Sequence, residues 1–369
     1  MKRILILLLA CLLLCGCSAW ADGAYYSIER HQEPPKKPEQ TIVSVSYYSE
    51  LISAVSDMVE QGLENMLISL EEYVPSQRET GAIRAIRYVT QVHPIGAYAV
   101  EGMEYEIGST GGVTALSLTV HYKRNPEEIR SIKRVEDMEQ VRELVGKALA
   151  DCEPSLVLKV DWFQNKDFSQ MVEDYALENP SLVMEIPVVT ATCYPDTGLS
   201  RVVDLRFTYQ NSRDNLKTMQ KYVRPIFDSA ALYVSNEEES AALKYWRLHS
   251  FLMERNLYRI ETSITPTYSL LRHGVGDSRS FAVVYSDMCR RAGLECLVVS
   301  GTCQGEARFW NIVCDNGQYY HLDLLNGGYS LRTDDQMQGY VWDYSAYPAC
   351  VAQVEVPPET TVPPTTGPA

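Results

Sequence analysis

Clustered positive charge is the first thing this sequence lacks. No run of Lys or Arg exceeds a pair such as Lys36-Lys37, and the formal net charge is −15. Phosphate backbones are bound by clustered cations, so a nucleic-acid partner is excluded. Histidine is scarce, six in 369 residues, and no CxxC pair or His-rich spacing occurs. A structural zinc site needs such spacing, so no metal is expected. Gly274, Gly276 and Gly301 fit no phosphate-loop spacing, and Asp277 would repel phosphate, so no nucleotide is expected. No cofactor is implied. Hydrophobic residues (46%) and charged residues (22%) stand at ordinary globular values, in a chain long enough for two or three domains.

Long apolar runs are also missing, except at the start. Lys2 and Arg3 precede Ile4 to Leu14, a run of signal-peptide length that is short for a bilayer span. It ends Leu14-Cys15-Gly16-Cys17, which resembles the lipobox of bacterial lipoproteins. The resemblance implies lipidation at Cys17, with the chain anchored on the extracytoplasmic face of a membrane. Ten cysteines are present, and seven remain beyond Cys17, so at least one has no intramolecular partner. A turn centred on Gly305 would set Cys296 opposite Cys314. Either a disulfide or two buried thiols fits that register.

The expected organisation is α+β. Residues 1–17 read as signal and lipidation site, and 18–41, with Pro34, Pro35 and Pro38, as a tether. Residues 42–125 and 126–211 read as two copies of an α-β-α-β-β order, an internal repeat. The last strands of the two, A-L-S-L-T-V-H-Y and V-V-D-L-R-F-T-Y, alternate apolar and polar residues and end at Tyr. Two small modules and one joint sheet are both compatible with this pattern. Residues 212–234 read as a connecting helix kinked at Pro225. Ser235 and Glu238 fit a capping box for the next helix. Residues 353–369 form a Pro/Thr-rich tail with almost nothing to bury, expected to be disordered.

The informative stretch runs from Gly274 to Asp323. It reads G-V-G-D-S-R-S-F-A, then an amphipathic helix to Arg291, then L-E-C-L-V-V-S-G, G-E-A-R-F-W-N-I-V and N-G-Q-Y-Y-H-L-D. Asn316-Gly317 is a strong two-residue hairpin turn. Its register sets Trp310 opposite Asp323 and makes Arg308 a same-face diagonal neighbour of Asp323.

This helix-then-hairpins order resembles the core of the bacterial transglutaminase-like family, which has the papain-type cysteine-hydrolase arrangement. The resemblance implies a domain over 235–352. The family's motif has a nucleophilic Cys at the helix start, a His before Trp-Asn, and an Asp closing Tyr-His-hydrophobic-Asp. These positions fall on Ser278, Arg308 and Asp323, and only the third matches. A hydroxyl depends on its base more than a thiol does, and Arg has no acceptor and does not deprotonate. The expectation is therefore a pseudoenzyme. Its retained groove, with Asp277, Trp310 and Asn311 as candidate contacts, would bind a peptide, a protein or cell-wall material. Two alternatives stand beside it: a peptide or cell-wall hydrolase or acyltransferase using Ser278, and a purely structural scaffold.

Overall fold

The computed structural model describes residues 42–110, 112–259 and 263–351. The expected signal, Cys17, tether and Pro/Thr-rich tail lie outside the described residues. No helix among the described residues is long and apolar enough to cross a membrane. Helices and strands are mixed throughout, an α+β architecture with three four-stranded sheets.

The first sheet contains Val43–Ser44 (β1), Asn65–Ser69 (β2), Val100–Thr110 (β3) and Val113–Tyr122 (β4), in the order β1-β2-β4-β3. Helices Tyr48–Gln61, Arg78–Gln91 and Pro94–Ala99 belong to the same unit. The alternation in β4 buries Leu116, Leu118 and Val120. Leu51, Val55, Met58 and Val59, at helical spacing on Tyr48–Gln61, join the same core. Each such burial contributes on the order of 1.5–3 kcal/mol relative to exposure.

The second sheet contains Lys133–Val135 (β5), Ser155–Val160 (β6), Val188–Tyr194 (β7) and Arg201–Thr208 (β8), in the order β5-β6-β8-β7. Helices Met138–Ala150 and Phe168–Glu178 cover it. Each of these two sheets opens with a short strand parallel to its neighbour, followed by antiparallel pairings. The α-β-α-β-β reading missed those opening strands, because two or three residues leave no alternation to see. Of the two arrangements left open, the chain forms two separate sheets. They meet where Val202 enters the first core, Tyr98 packs edge-on against Tyr194, and Arg124 reaches Asp204 at 3.4 Å.

The third part begins with helix Arg213–Tyr233, which contains Pro225. Its entry is fixed by the buried Glu185, which accepts from the backbone N–H of Gln210 and Asn211 and from the Asn211 side chain. The next helix, Ala241–Met253, starts later than expected. Its N-cap is Ser240, whose hydroxyl accepts from Leu243 N, while Ser235 donates back to Leu232 O. Two short parallel strands follow, Leu257–Tyr258 (β9) and Val275–Gly276 (β10). Helix Ser278–Arg291 is buried along most of its length, with Phe281, Val284, Tyr285 and Met288 inside the core. The last sheet has the order β13-β12-β11-β14, from Gln318–Leu322, Glu306–Asp315, Cys296–Cys303 and Tyr340–Trp342.

The β11–β12 turn corrects one expectation. It is centred between Gln304 and Gly305, both at positive φ, so Cys303 pairs with Glu306 and Cys296 faces Val313 rather than Cys314. The seven described cysteines are all free. The β12–β13 turn at Asn316-Gly317 has the left-handed pair of residues that a two-residue hairpin requires, and Asp315 pairs with Gln318 as that turn dictates.

Candidate functional site

The site is built at the N-terminus of helix Ser278–Arg291, where it meets β12. Asp277 is the N-cap, and one carboxylate oxygen accepts from both the backbone N–H and the hydroxyl of Ser280, at 2.8 and 2.6 Å. Asp277 thus satisfies one orphan N–H of the helix and ties the Ser280 hydroxyl to the cap. Ser278 follows at 8% exposure, and its Oγ accepts from Phe309 N at 3.2 Å. The hydroxyl is docked on the backbone of the strand that also carries Arg308.

Arg308 and Asp323 form a two-pronged pair. Nε donates to one carboxylate oxygen and Nη2 to the other, both at 2.9 Å. Asp323 also accepts from Leu325 N at 2.9 Å and from the Tyr340 hydroxyl at 2.6 Å. Asn326 in turn donates to the Tyr340 oxygen at 3.0 Å. Burial, and then the Asp323 charge, push the Tyr340 phenol well above its ordinary value, so it stays a donor. The Arg308 guanidinium lies 5.7 Å from the centre of the Tyr258 ring. Its Nη1 has no protein partner among the described residues. Beside it is a cavity of about 310 Å³, lined by Tyr258, Cys303, Arg308, Asn326 and Tyr340 among others.

Two of the three groove candidates are not in a groove. Trp310 and Asn311 are both 0% exposed. Trp310 is core, stacked edge-on with Tyr340 and Trp342. Asn311 turns toward the helix, where its amide donates to the carbonyls of Ala282 and Leu297. The third, Asp277, is spent on its cap. Tyr258, Asn326 and Tyr340 are the residues that surround Arg308 instead. Sequence gave no signal for them, since they come from a two-residue strand, a loop and a three-residue strand.

Among the described residues, no imidazole is hydrogen-bonded to Ser278. His321 is fully buried, with Nδ1 accepting from Trp310 Nε1 at 3.0 Å and Nε2 against Asp334 Oδ1 at 2.8 Å. The indole N–H fixes the tautomer: Nδ1 accepts, so Nε2 carries the proton and donates to Asp334. Cys350 lies near the same carboxylate, and these three side chains are close enough to share an ion. The donor set does not fit one. A metal on Nε2 would move the proton to Nδ1, into the indole N–H. Burial, and then the Asp334 charge, push the Cys350 thiol up to about 12. His273 packs on Tyr268 and lines a different cleft.

The sequence model of the Transglutaminase-like superfamily matches residues 229–324. That span is a transglutaminase-like domain. No curated protein matches the chain. Among solved structures, a TGase aligns at 9% identity over 66% of this chain and 69% of its own, with a TM-score of 0.25. A candidate cysteine protease from Cytophaga hutchinsonii aligns at 13% identity over 42% of this chain and 70% of its own, with a TM-score of 0.24. A candidate protease from Parabacteroides distasonis aligns at 9% identity over 73% of this chain and 44% of its own, with a TM-score of 0.22.

Two outcomes follow for the transglutaminase-like domain. Removing one member of a buried ion pair strands the other charge, so Arg308→Ala should destabilise by roughly 3 kcal/mol. The double variant Arg308→Ala with Asp323→Ala should lose less than Arg308→Ala alone. Urea midpoints of the two variants check this; equal or greater loss in the double variant would show that the pair is not what stabilises the sheet edge. The second outcome is a pH dependence. Desolvation lowers the pKa of His249 and His321, with partial opposition from Leu324 O and Asp334 respectively. The unfolded chain therefore binds more protons at these sites. Their contribution to stability is complete above about pH 6.5 and is lost as pH falls below it. His249, whose Nε2 is buried without a partner, should contribute to the slope. Denaturation midpoints between pH 7.5 and 5 should fall, and His249→Gln should flatten the curve.

Proposed function

We propose that the transglutaminase-like domain is a binding module without acyl-transfer activity, carried by a chain anchored through Cys17 on the extracytoplasmic face of a membrane. The observation that carries this reading is the Arg308–Asp323 pair. In the family arrangement that the sequence resembles, the Asp orients an imidazole, which takes the proton of the nucleophile. Here the carboxylate is saturated by a guanidinium, a main-chain N–H and a phenol. The guanidinium has no lone pair to accept the Ser278 proton, and Ser278 is already an acceptor for Phe309 N.

The residual chemistry is recognition. Nη1 of Arg308 is a fixed donor at the edge of a cavity that also offers the Asn326 amide and the Tyr258 and Tyr340 rings. A carbonyl or carboxylate oxygen of a peptide, a protein segment or cell-wall material suits that donor. The structural-scaffold reading leaves this cavity without a role, and the hydrolase reading leaves Ser278 without a base.

Wild-type protein should show no amide hydrolysis or transamidation, and an acylating active-site probe should not label Ser278. Ser278→Cys alone should restore little, since Arg308 can polarise a thiol but cannot take its proton. Ser278→Cys with Arg308→His rebuilds all three family positions and is the combination expected to regain turnover. Robust wild-type activity that vanishes in Ser278→Ala would overturn the reading. For the anchor, mature protein should partition into detergent and carry lipid on Cys17. A Cys17→Ala variant that remains membrane-bound would refute lipidation at that residue.

A further inference from the structure

A second cleft, of about 570 Å³, opens between helices Arg213–Tyr233 and Ala241–Met253 and the turn leading to Gly274. It shares no lining residue with the Arg308 cavity. Its lining carries Arg255, Arg272 and His273 and no carboxylate. In a chain with 48 acidic residues against 33 Lys and Arg, an acid-free wall of this kind runs against the composition. Neither arginine has an ion-pair partner among the described residues.

Both guanidiniums are held in place by neutral groups. Arg255 lies 4.3 Å from the Phe251 ring centre and donates through Nη1 to Phe251 O. Arg272 lies 4.8 Å from the Tyr222 ring centre and donates through Nη1 to the Tyr222 hydroxyl at 3.3 Å. Stacking on a ring fixes the plane of a guanidinium and leaves its remaining N–H edge available. The backbone brings the two together. Ser269–His273 is a π-helical turn, a form that recurs at functional sites. It is closed by Gly274 at φ 70°, and a Cβ there would stand 3.2 Å from Arg255 O, so the turn packs directly on the residue that carries the other cation. Leu257 N donates to Gly274 O at 2.7 Å, and Ser269 Oγ to Val275 O at 3.2 Å, pinning the turn to β9 and β10. The rest of the wall is apolar: Pro225, Ile226, Phe251 and Leu271.

We propose that this cleft binds a small organic anion, a carboxylate or phosphate head on an apolar stem. The head meets the free edges of Arg255 and Arg272, and the stem lies along Ile226, Phe251 and Leu271. The volume suits a small molecule, and two oriented cations supply charge-assisted hydrogen bonds to one anionic group.

The test uses the full chain and four probes, hexanoate, hexyl phosphate, hexan-1-ol and inorganic phosphate, titrated by calorimetry or by amide chemical shifts. Hexanoate or hexyl phosphate should bind about tenfold more tightly than either hexan-1-ol or inorganic phosphate, the loss expected for a missing head or stem. The better of the two heads identifies a carboxylate or a phosphate source. Arg255→Gln with Arg272→Gln should remove that preference over hexan-1-ol. Ser229→Trp, which fills the cleft without altering its charge, should abolish binding, and it decides the matter if the charge variant fails to fold. Equal binding of hexan-1-ol would mean an apolar hollow, and equal binding of inorganic phosphate a counter-ion site. Either result, no binding of any probe, or unchanged affinity in a folded variant would overturn the proposal.

Discussion

A guanidinium laid against a carboxylate at the edge of the last sheet ties the transglutaminase-like domain together. Asp323 accepts two hydrogen bonds from Arg308, one from Leu325 N and one from Tyr340. Those donors come from β12, from the loop after β13 and from β14. One buried carboxylate therefore ties β12 to β14, which do not pair directly, and to the loop after β13. A carboxylate that orients an imidazole must leave the ring able to accept a proton. Here the carboxylate is saturated by Arg308, Leu325 N and Tyr340, and the residue diagonal to it carries a permanent positive charge.

A second tie stands beside the first on the same sheet. The indole of Trp310 donates to His321, His321 donates to Asp334, and Asp334 accepts from Cys350 N. The chain runs from the sheet core out to the segment that wraps it. Gly301 makes room for this arrangement: a Cβ there would stand 2.8 Å from the Trp310 ring and 2.2 Å from Val341 O. The imidazole that the sequence places two residues before Asp323 is thereby engaged at both ring nitrogens. It is desolvated, and its proton is fixed on the nitrogen that faces a carboxylate.

How much of this was legible depends on where the determining interaction is encoded. The Arg308–Asp323 proximity was readable because Asn316-Gly317 is a local turn signal with one strongly preferred register. The neighbouring turn misled by one residue, since Gln304 adopts positive φ although Gln is not a residue that announces it. That single step moved Cys296 from Cys314 to Val313. The Ser235–Glu238 capping pattern was present but unused, because Ser240 offers a cap five residues later. Trp310 and Asn311 were recognisable as part of the motif, but which side of the strand is core depends on long-range packing. The cleft at Arg255 and Arg272 could not be read at all, since a π-helical turn and a positive-φ glycine bring its walls together.

Of the two units before residue 212, the second is built into the support of the site. Arg279, the residue after Ser278, pairs with Glu173 at 2.8 Å and lies over the Phe309 ring. At the other end of the same helix, Arg290 donates to Glu178 O and Arg291 to Ser181 Oγ. Cys152 and Met184 of the second unit are buried in the core that holds Phe281, Tyr285 and Met288. Helix Ser278–Arg291 is therefore gripped at both ends by residues 173–181, and Phe309 N meets Ser278 within that grip. Charged contacts that are partly exposed contribute little singly, so the apolar core beneath them supplies most of the cohesion and the arginines set the alignment. The geometry at Ser278 and Arg308 thus belongs to the second unit and the transglutaminase-like domain together.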